Sequence, residues 1–165
     1  MVLNGMKYID NFIEDPEVEK LLVEKFTGND FPWFYSSHVA YGGEKNSSFY
    51  FVHMFYREGK QQSDLFDLLH PVLGRLKFNH LLNIRANCYT KTEKPFTHDW
   101  HLDRKVPHKV ALFGLNTNNG FTEFKDTGEK VQSKKNRMLL FDGELHRSTT
   151  QTDTDLRINI NINYV

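Results

Sequence analysis

Leu156-Arg157-Ile158-Asn159-Ile160-Asn161-Ile162-Asn163-Tyr164 closes the chain with an unbroken two-residue alternation. Successive side chains of a strand point to opposite faces, so Ile158, Ile160, Ile162 and Tyr164 share one face. Arg157, Asn159, Asn161 and Asn163 share the other. The apolar face must bury against another layer, which N-terminal helices can supply. The polar face belongs on a wet cavity or mouth. An Arg on such an inward face needs a partner, because an unpaired buried charge is costly. A ligand carboxylate satisfies it, as does a structural Asp or Glu.

Working back from that strand, short strand-like segments alternate with turn sequences. Strands are expected at Leu82–Tyr89, His98–Asp103, Lys109–Leu115, Gly120–Lys125, Met138–Phe141 and Leu145–Ser148. Asn116-Thr117-Asn118-Asn119-Gly120 and Asp126-Thr127-Gly128-Glu129 are tight-turn sequences between them. This spacing argues for a sandwich or barrel. The first 80 residues read differently. Met6–Ile9 is a short opening strand, and Asp15-Pro16 is a helix N-cap with Pro at the first helical position. Val18, Leu21, Leu22 and Phe26 follow at helical spacing, ending near Gly28-Asn29. A second helix is expected from Ser63, carrying Leu65, Phe66, Leu68 and Leu69, with Pro71 interrupting or kinking it. Between the helices, Phe31 to Tyr56 is rich in aromatics, among them Trp33, Phe34, Tyr35, Tyr41 and Tyr50. These form either a lid or pocket wall or part of the core. The expected architecture is one α+β domain over residues 1–165. It is a double-stranded β-helix, or jelly roll, with the N-terminal helices packed on the outer face of one sheet. Residues 1–80 would be the helical and aromatic support and lid region, and 81–165 the core.

Composition narrows the function classes. At 165 residues the chain suits one domain with a real core. Lys plus Arg equals Asp plus Glu at 21 each, so no global positive field recruits nucleic acid, although a local basic patch is compatible with this balance. Cys88 is the only cysteine, which excludes an internal disulfide and fits a reducing compartment. No apolar run reaches membrane-spanning length, and Met1-Val2-Leu3-Asn4-Gly5 lacks the basic start of a signal peptide. A soluble, cytoplasmic protein without a membrane partner is expected. No internal repeat or linker divides it.

The chemistry gathers on His101-Leu102-Asp103, His146 and Arg157. On a strand, the His-x-Asp spacing turns both ligands to one face, so a single metal can take His101 and Asp103 together. His146 follows an apolar strand and an Asp142-Gly143 turn, which delivers its imidazole to a cavity rim. Two imidazoles and one carboxylate are the ligand set of non-haem Fe(II) oxygenases, which leave other coordination positions open. Arg157 adds a planar fork of donors for a carboxylate. Asn87 and Tyr89 share a face of the strand before His101, so an amide and a phenol can reach the same ligand. The plainer alternatives are a polar strand edge, a surface His146 and a core Tyr89.

With these residues assembled, the chain resembles the Fe(II)/2-oxoglutarate-dependent dioxygenases. It is most similar to their small prolyl-4-hydroxylase-like members, common in phages and bacteria, so a phage-encoded protein is one expectation. The likeness covers about Leu82 to Tyr164. It is strongest in Asn87-Cys88-Tyr89, Thr97 to Asp103, Gly120-Phe121-Thr122-Glu123-Phe124, and His146 to Asn159. The resemblance implies that His101, Asp103 and His146 ligate Fe(II) and that Arg157 binds the distal carboxylate of 2-oxoglutarate. Asn159 would stand in for a serine of an Arg-x-Ser pattern, and Tyr89 and Asn87 would contact the cosubstrate from the opposite side. Many such hydroxylases carry a Tyr before the Leu-Asn turn, where this chain has Leu112-Phe113-Gly114-Leu115-Asn116. The implied reaction uses dioxygen to hydroxylate a free or peptidyl amino acid or a small metabolite, releasing succinate and carbon dioxide. Two rivals stand beside it. Asn87-x-Tyr89 and Arg157-x-Asn159 resemble the nucleic-acid dealkylases of the AlkB type, against which the balanced charge weighs. A metal-binding cupin without oxygenase activity is the other, and Arg157 weighs against that.

Overall fold

The computed structural model describes residues 2–3, 5–39 and 49–165. In chain order it holds β1 (Val2–Leu3), β2 (Met6–Asp10), α1 (Pro16–Thr27), β3 (Phe34–Ser36), β4 (Tyr50–Arg57) and β5 (Lys60–Gln61). A 3-10 turn at Phe66–Leu69 leads into α2 (His70–Leu73). Then come β6 (Leu81–Thr90), β7 (Lys109–Gly114), β8 (Phe121–Phe124), β9 (Lys130–Gln132), β10 (Arg137–Asp142), β11 (His146–Ser148) and β12 (Leu156–Tyr164). The strands form two sheets in which every pairing is antiparallel. Nine belong to one sheet, ordered β1-β2-β10-β7-β12-β6-β4-β3 with β5 on β4, and three to the other, ordered β11-β8-β9. The C-terminal alternation thus becomes an interior strand, hydrogen-bonded on both sides.

Two hydrophobic clusters account for the layering. Ile158, Ile160, Ile162 and Tyr164 bury together with Leu22 and Phe26 of α1, Val72 and Leu73 of α2, Phe55 of β4 and Phe113 of β7. Each fully buried isoleucine contributes roughly 1.5–3 kcal/mol, so this face of β12 carries stability. The second cluster joins Phe124 and Val131 of the small sheet to Val110, Leu139 and Phe141 of the large one. Both sheets therefore close over a common interior, with β12's polar face turned toward it.

Local chemistry explains where elements begin. Asp15 caps α1, its side chain accepting from Glu17 N at 2.9 Å and Val18 N at 3.3 Å, with Pro16 in the first turn. Leu22 and Phe26 are buried whereas Leu21 is exposed, so the inward stripe follows the four-residue spacing from Val18. The expected second helix is reduced to the 3-10 turn and one turn of α2. Pro71 opens that turn instead of breaking a longer helix, because a missing N–H costs nothing at a helix start. Only two short helices occur among the described residues. The first 80 residues also contribute β2, β3 and β4 to the large sheet. In the aromatic stretch, Phe31 and Phe55 are core, Trp33 packs against them, and Phe34 and Tyr35 are exposed. Tyr41 lies outside the described residues. The strand Lys130–Gln132 follows a turn in which Gly128 takes a φ of 69°, and it completes a hairpin with β8.

Candidate metal centre

His101 and Asp103 lie on an irregular crossing between β6 and β7, not on the expected strand over 98–103. Two isolated bridges, Thr97 to Thr149 and His101 to His146, tie it to its neighbour. The crossing takes four steps where its partner takes three, so one extra residue is accommodated and regular pairing is lost, as at a bulge. The same-face rule therefore does not place Asp103; a bend does. Its Oδ2 accepts hydrogen bonds from Asn161 Nδ2 at 3.1 Å and Asn163 Nδ2 at 3.3 Å, and Asn163 Nδ2 also reaches Asn161 Oδ1 at 2.6 Å. The polar face of β12 thus holds the carboxylate that the crossing delivers.

The two histidines are locked to each other through the backbone. His101 N donates to His146 O at 3.0 Å, and His146 N donates to His101 O at 3.1 Å. Each ring then spends one nitrogen on a carbonyl: His101 Nδ1 on Asp99 O at 3.1 Å, His146 Nδ1 on Glu144 O at 2.9 Å. A carbonyl only accepts, so Nδ1 carries the proton and Nε2 presents its lone pair. Both Nε2 atoms face Asp103, 3.9 Å from Oδ1 and 3.9 Å from Oδ2 respectively. One ligand atom from each of the three residues falls within a 4.8 Å span. Burial, followed by the neighbouring His146, pushes the His101 imidazole below its ordinary pKa and keeps it available as a neutral donor. Burial opposes ionisation of Asp103, yet His146, His101 and Arg85 outweigh it and hold its carboxyl below the usual range. The donor set of two imidazole nitrogens and one carboxylate fits Fe(II).

Deeper in the interior, Arg157 is 2% exposed. Its Nη1 donates to Thr149 O at 2.9 Å, Nε to Ser133 Oγ at 2.6 Å and Nη2 to Thr122 Oγ1 at 3.4 Å, while the guanidinium lies 5.2 Å from the Tyr89 ring centre. Among the described residues no carboxylate pairs with it. Gly120 makes room for this side chain: a Cβ there would lie 2.8 Å from Arg157 Cδ. Register sets Arg157 opposite Tyr89, Asn159 opposite Asn87 and Asn161 opposite Arg85. Asn87 Nδ2 donates to Asn159 Oδ1 at 2.8 Å. A narrow cavity joins these groups to the triad, walled by Tyr89, Asn87, Thr122, Ser148, Arg157 and Leu112 among others. Asn87 Oδ1 and Ser148 Oγ are buried there without hydrogen-bond partners among the described residues. Leu112, from the segment before the Leu115-Asn116 turn, lines this wall.

On the other side, a cleft of about 660 Å³ opens on His101 and Asp103 and is bordered by Trp100, Leu102, Val106 and Leu145. Trp100 is clamped by the Arg147 guanidinium 4.1 Å from its ring centre, and Arg147 Nε is held by Glu123 Oε2 at 2.7 Å. All seven residues singled out in the sequence, His101, Asp103, His146, Arg157, Asn159, Tyr89 and Asn87, line one or both of these two spaces. Asn161 and Asn163 were on the face identified as polar, yet their bonds to Asp103 had no signal in the sequence. Thr122, Ser133 and Ser148 were also missed. Ser148 was recoverable, since it lies two residues after His146 on the same strand.

No protein-family model and no curated protein sequence matches the chain. Solved structures do. A 2OG-Fe(II) oxygenase family oxidoreductase from Burkholderia pseudomallei superposes with a TM-score of 0.67 at 8% identity, over 97% of this chain and 85% of that one. A prolyl-4-hydroxylase from Pseudomonas putida gives 0.66 at 12% identity, over 97% and 92%. A viral collagen prolyl hydroxylase from Paramecium bursaria Chlorella virus-1, solved with 2OG, gives 0.60 at 14% identity, over 98% and 97%. This chain therefore shares, nearly end to end, the jelly-roll fold on which those oxygenases are built.

Proposed function

We propose that the chain is an Fe(II)- and 2-oxoglutarate-dependent oxygenase that hydroxylates a C–H bond of a small or peptidyl substrate. The observation that carries this reading is the pairing of two sites across one interior. His101, Asp103 and His146 converge within a 4.8 Å span, and a buried guanidinium with no acidic partner among the described residues lies across a cavity from them. A dicarboxylate cosubstrate spans such a pair, offering one end to a metal and the other to Arg157. The likeness of fold to the oxygenases supports the same reading. A metal-binding cupin leaves the Arg157 charge unexplained.

In this reading His101, Asp103 and His146 hold Fe(II), Arg157 binds the distal carboxylate, and Tyr89, Asn87 and Asn159 shape the wall beside it. Bound iron would supply dioxygen activation coupled to oxidative decarboxylation of 2-oxoglutarate, with succinate and carbon dioxide as co-products and one oxygen atom passed to the substrate. The protein's own tasks are positional. Nδ1–H bonds to Asp99 and Glu144 fix both imidazoles in the tautomer that presents Nε2. Asn161 and Asn163 orient Asp103. Tyr50, stacked on Tyr89 at 5.3 Å, closes the wall behind the cosubstrate and helps exclude water. Residues 81–165 are the catalytic unit, and the helices and strands before them are its support layer. No helix of the described residues is long and apolar enough to cross a membrane.

His146→Ala tests the reading. It should abolish succinate release from 2-oxoglutarate and tight Mn(II) binding while leaving the circular dichroism spectrum unchanged. Undiminished succinate release would overturn the assignment.

A further inference from the structure

We propose that the substrate of this site carries an anionic group, a carboxylate or phosphate on an apolar body, received by Arg57, Arg104 and Lys105 in the cleft beside the triad. The inference rests on the oxygenase reading and names its substrate class. Four cations line the cleft, Arg57, Arg85, Arg104 and Lys105, against Glu58 and the triad's own Asp103. The chain as a whole is charge-balanced, so this excess is a property of the cleft and not of the composition. Arg85 lines the inner cavity as well, close to Asp103, and lies 5.8 Å from the Tyr50 ring centre. It already serves the interior. The other three are different. Among the described residues Arg57, Arg104 and Lys105 form no ion pair, and Arg104 Nε is buried with no acceptor.

A guanidinium nitrogen withdrawn from water and left without an acceptor is unfavourable, and a ligand anion corrects that with a charge-assisted hydrogen bond. Part of the surrounding wall is apolar: Leu102 is 43% exposed and Val106 54% exposed, beside Trp100 and Leu145. Such a wall receives the body of a ligand while the cations receive its charged end. The cleft volume falls within the roughly 300–1,000 Å³ of small-molecule sites. Nucleic acid is served differently, by many cations tracking successive phosphates over an extended surface. Three cations around one concavity suit one or two anionic groups.

The experiment uses the full chain with Mn(II) and 2-oxoglutarate under anaerobic conditions, titrated calorimetrically with matched probes. N-acetylleucine is compared with N-acetylleucinamide, and phenyl phosphate with phenol. The anionic member of at least one pair should bind tenfold or more tightly than its neutral partner, and the pair that shows this separates carboxylate from phosphate recognition. The preference should disappear in the triple variant Arg57→Met/Arg104→Met/Lys105→Met. The single variants Arg57→Met and Lys105→Met, both at exposed positions, should show the same loss in smaller steps. Equal affinities within both pairs, or a preference the variants retain, would overturn the proposal. So would salt-sensitive binding of an oligodeoxythymidine more tightly than either anion, which would favour a nucleic-acid substrate. The same titrations read Mn(II) and 2-oxoglutarate binding. Their failure in the unmodified chain would overturn the oxygenase reading, whereas their success without anion preference would overturn only the substrate class.

Discussion

β12 and the crossing between β6 and β7 hold functional groups by opposite means. On β12, continuous backbone pairing to β6 and β7 fixes every Cβ, so Arg157, Asn159 and Asn161 project inward from a regular ladder. The crossing has only two isolated bridges, and its candidate ligands are held by individual bonds: a reciprocal pair between His101 and His146, and two amides on Asp103. A ladder positions through many shared interactions and tolerates loss of one side chain. A crossing depends on each bond it makes. The candidate metal site is where the two meet, because β12 supplies the amides that steady the crossing's carboxylate.

Breaking the ladder side at Arg157 should have the largest effect. Arg157→Met keeps bulk and removes the charge, so 2-oxoglutarate binding should weaken by about 3 kcal/mol, a hundredfold or more. Folding stability without ligand should change little, because the backbone register is untouched and removal of a buried cation with no acidic partner among the described residues offsets loss of its hydrogen bonds to Ser133, Thr149 and Thr122. Urea denaturation and calorimetric titration separate the two quantities. A variant that loses stability and affinity together would show that Arg157 is structural.

A smaller effect is expected where ladder and crossing meet. Asn161→Ala removes one of two amides on Asp103 and should weaken Mn(II) binding about tenfold, the low end for an outer-shell contact, since Asn163 remains. Binding of 2-oxoglutarate at Arg157 should fall much less. Equal losses at both ends would mean that the polar face acts as one unit.

The smallest effect is a pH slope originating in the crossing. His98 is 1% exposed, and burial, reinforced by Arg157, pushes its imidazole down to about 3. Its folded pKa lies below the ordinary value of 6.5, so between these limits the unfolded chain binds the extra proton. The stabilisation is complete above pH 6.5 and is lost as pH falls toward 3. Without added metal, lowering the pH from 6.5 to 5.5 should cost about 1 kcal/mol from this group. His98→Asn should flatten that slope in urea titrations, whatever it does to stability at pH 7.5. An unchanged slope would assign the acid sensitivity elsewhere, with His101 the next group in line.

Legibility followed the same division. β12 was readable to its last residue, because period-two alternation is a local signal and both faces had a clear destination. The helix cap at Asp15, the Asp142-Gly143 turn and the strand carrying His146 were readable for similar reasons. The crossing was misread as a strand because Trp100 and Leu102 alternate with Asp99, His101 and Asp103, a pattern that a bulged segment can also carry. Gly143 was legible as a turn residue, but its packing against His108, which leaves no space for a Cβ, was not.

Sequence alone determined which groups were present, two imidazoles, a carboxylate and a guanidinium, and which residues of the closing strand share a face, one side to bury and the other to wet. Tertiary structure decided how they meet. The one-residue mismatch against β11, the reach of Asn161 and Asn163 to Asp103, and the absence of any described acid paired with Arg157 depend on residues distant in the chain. Side-chain periodicity is fixed by backbone geometry within a few residues, whereas convergence on a common point depends on how separate strands are registered and stacked.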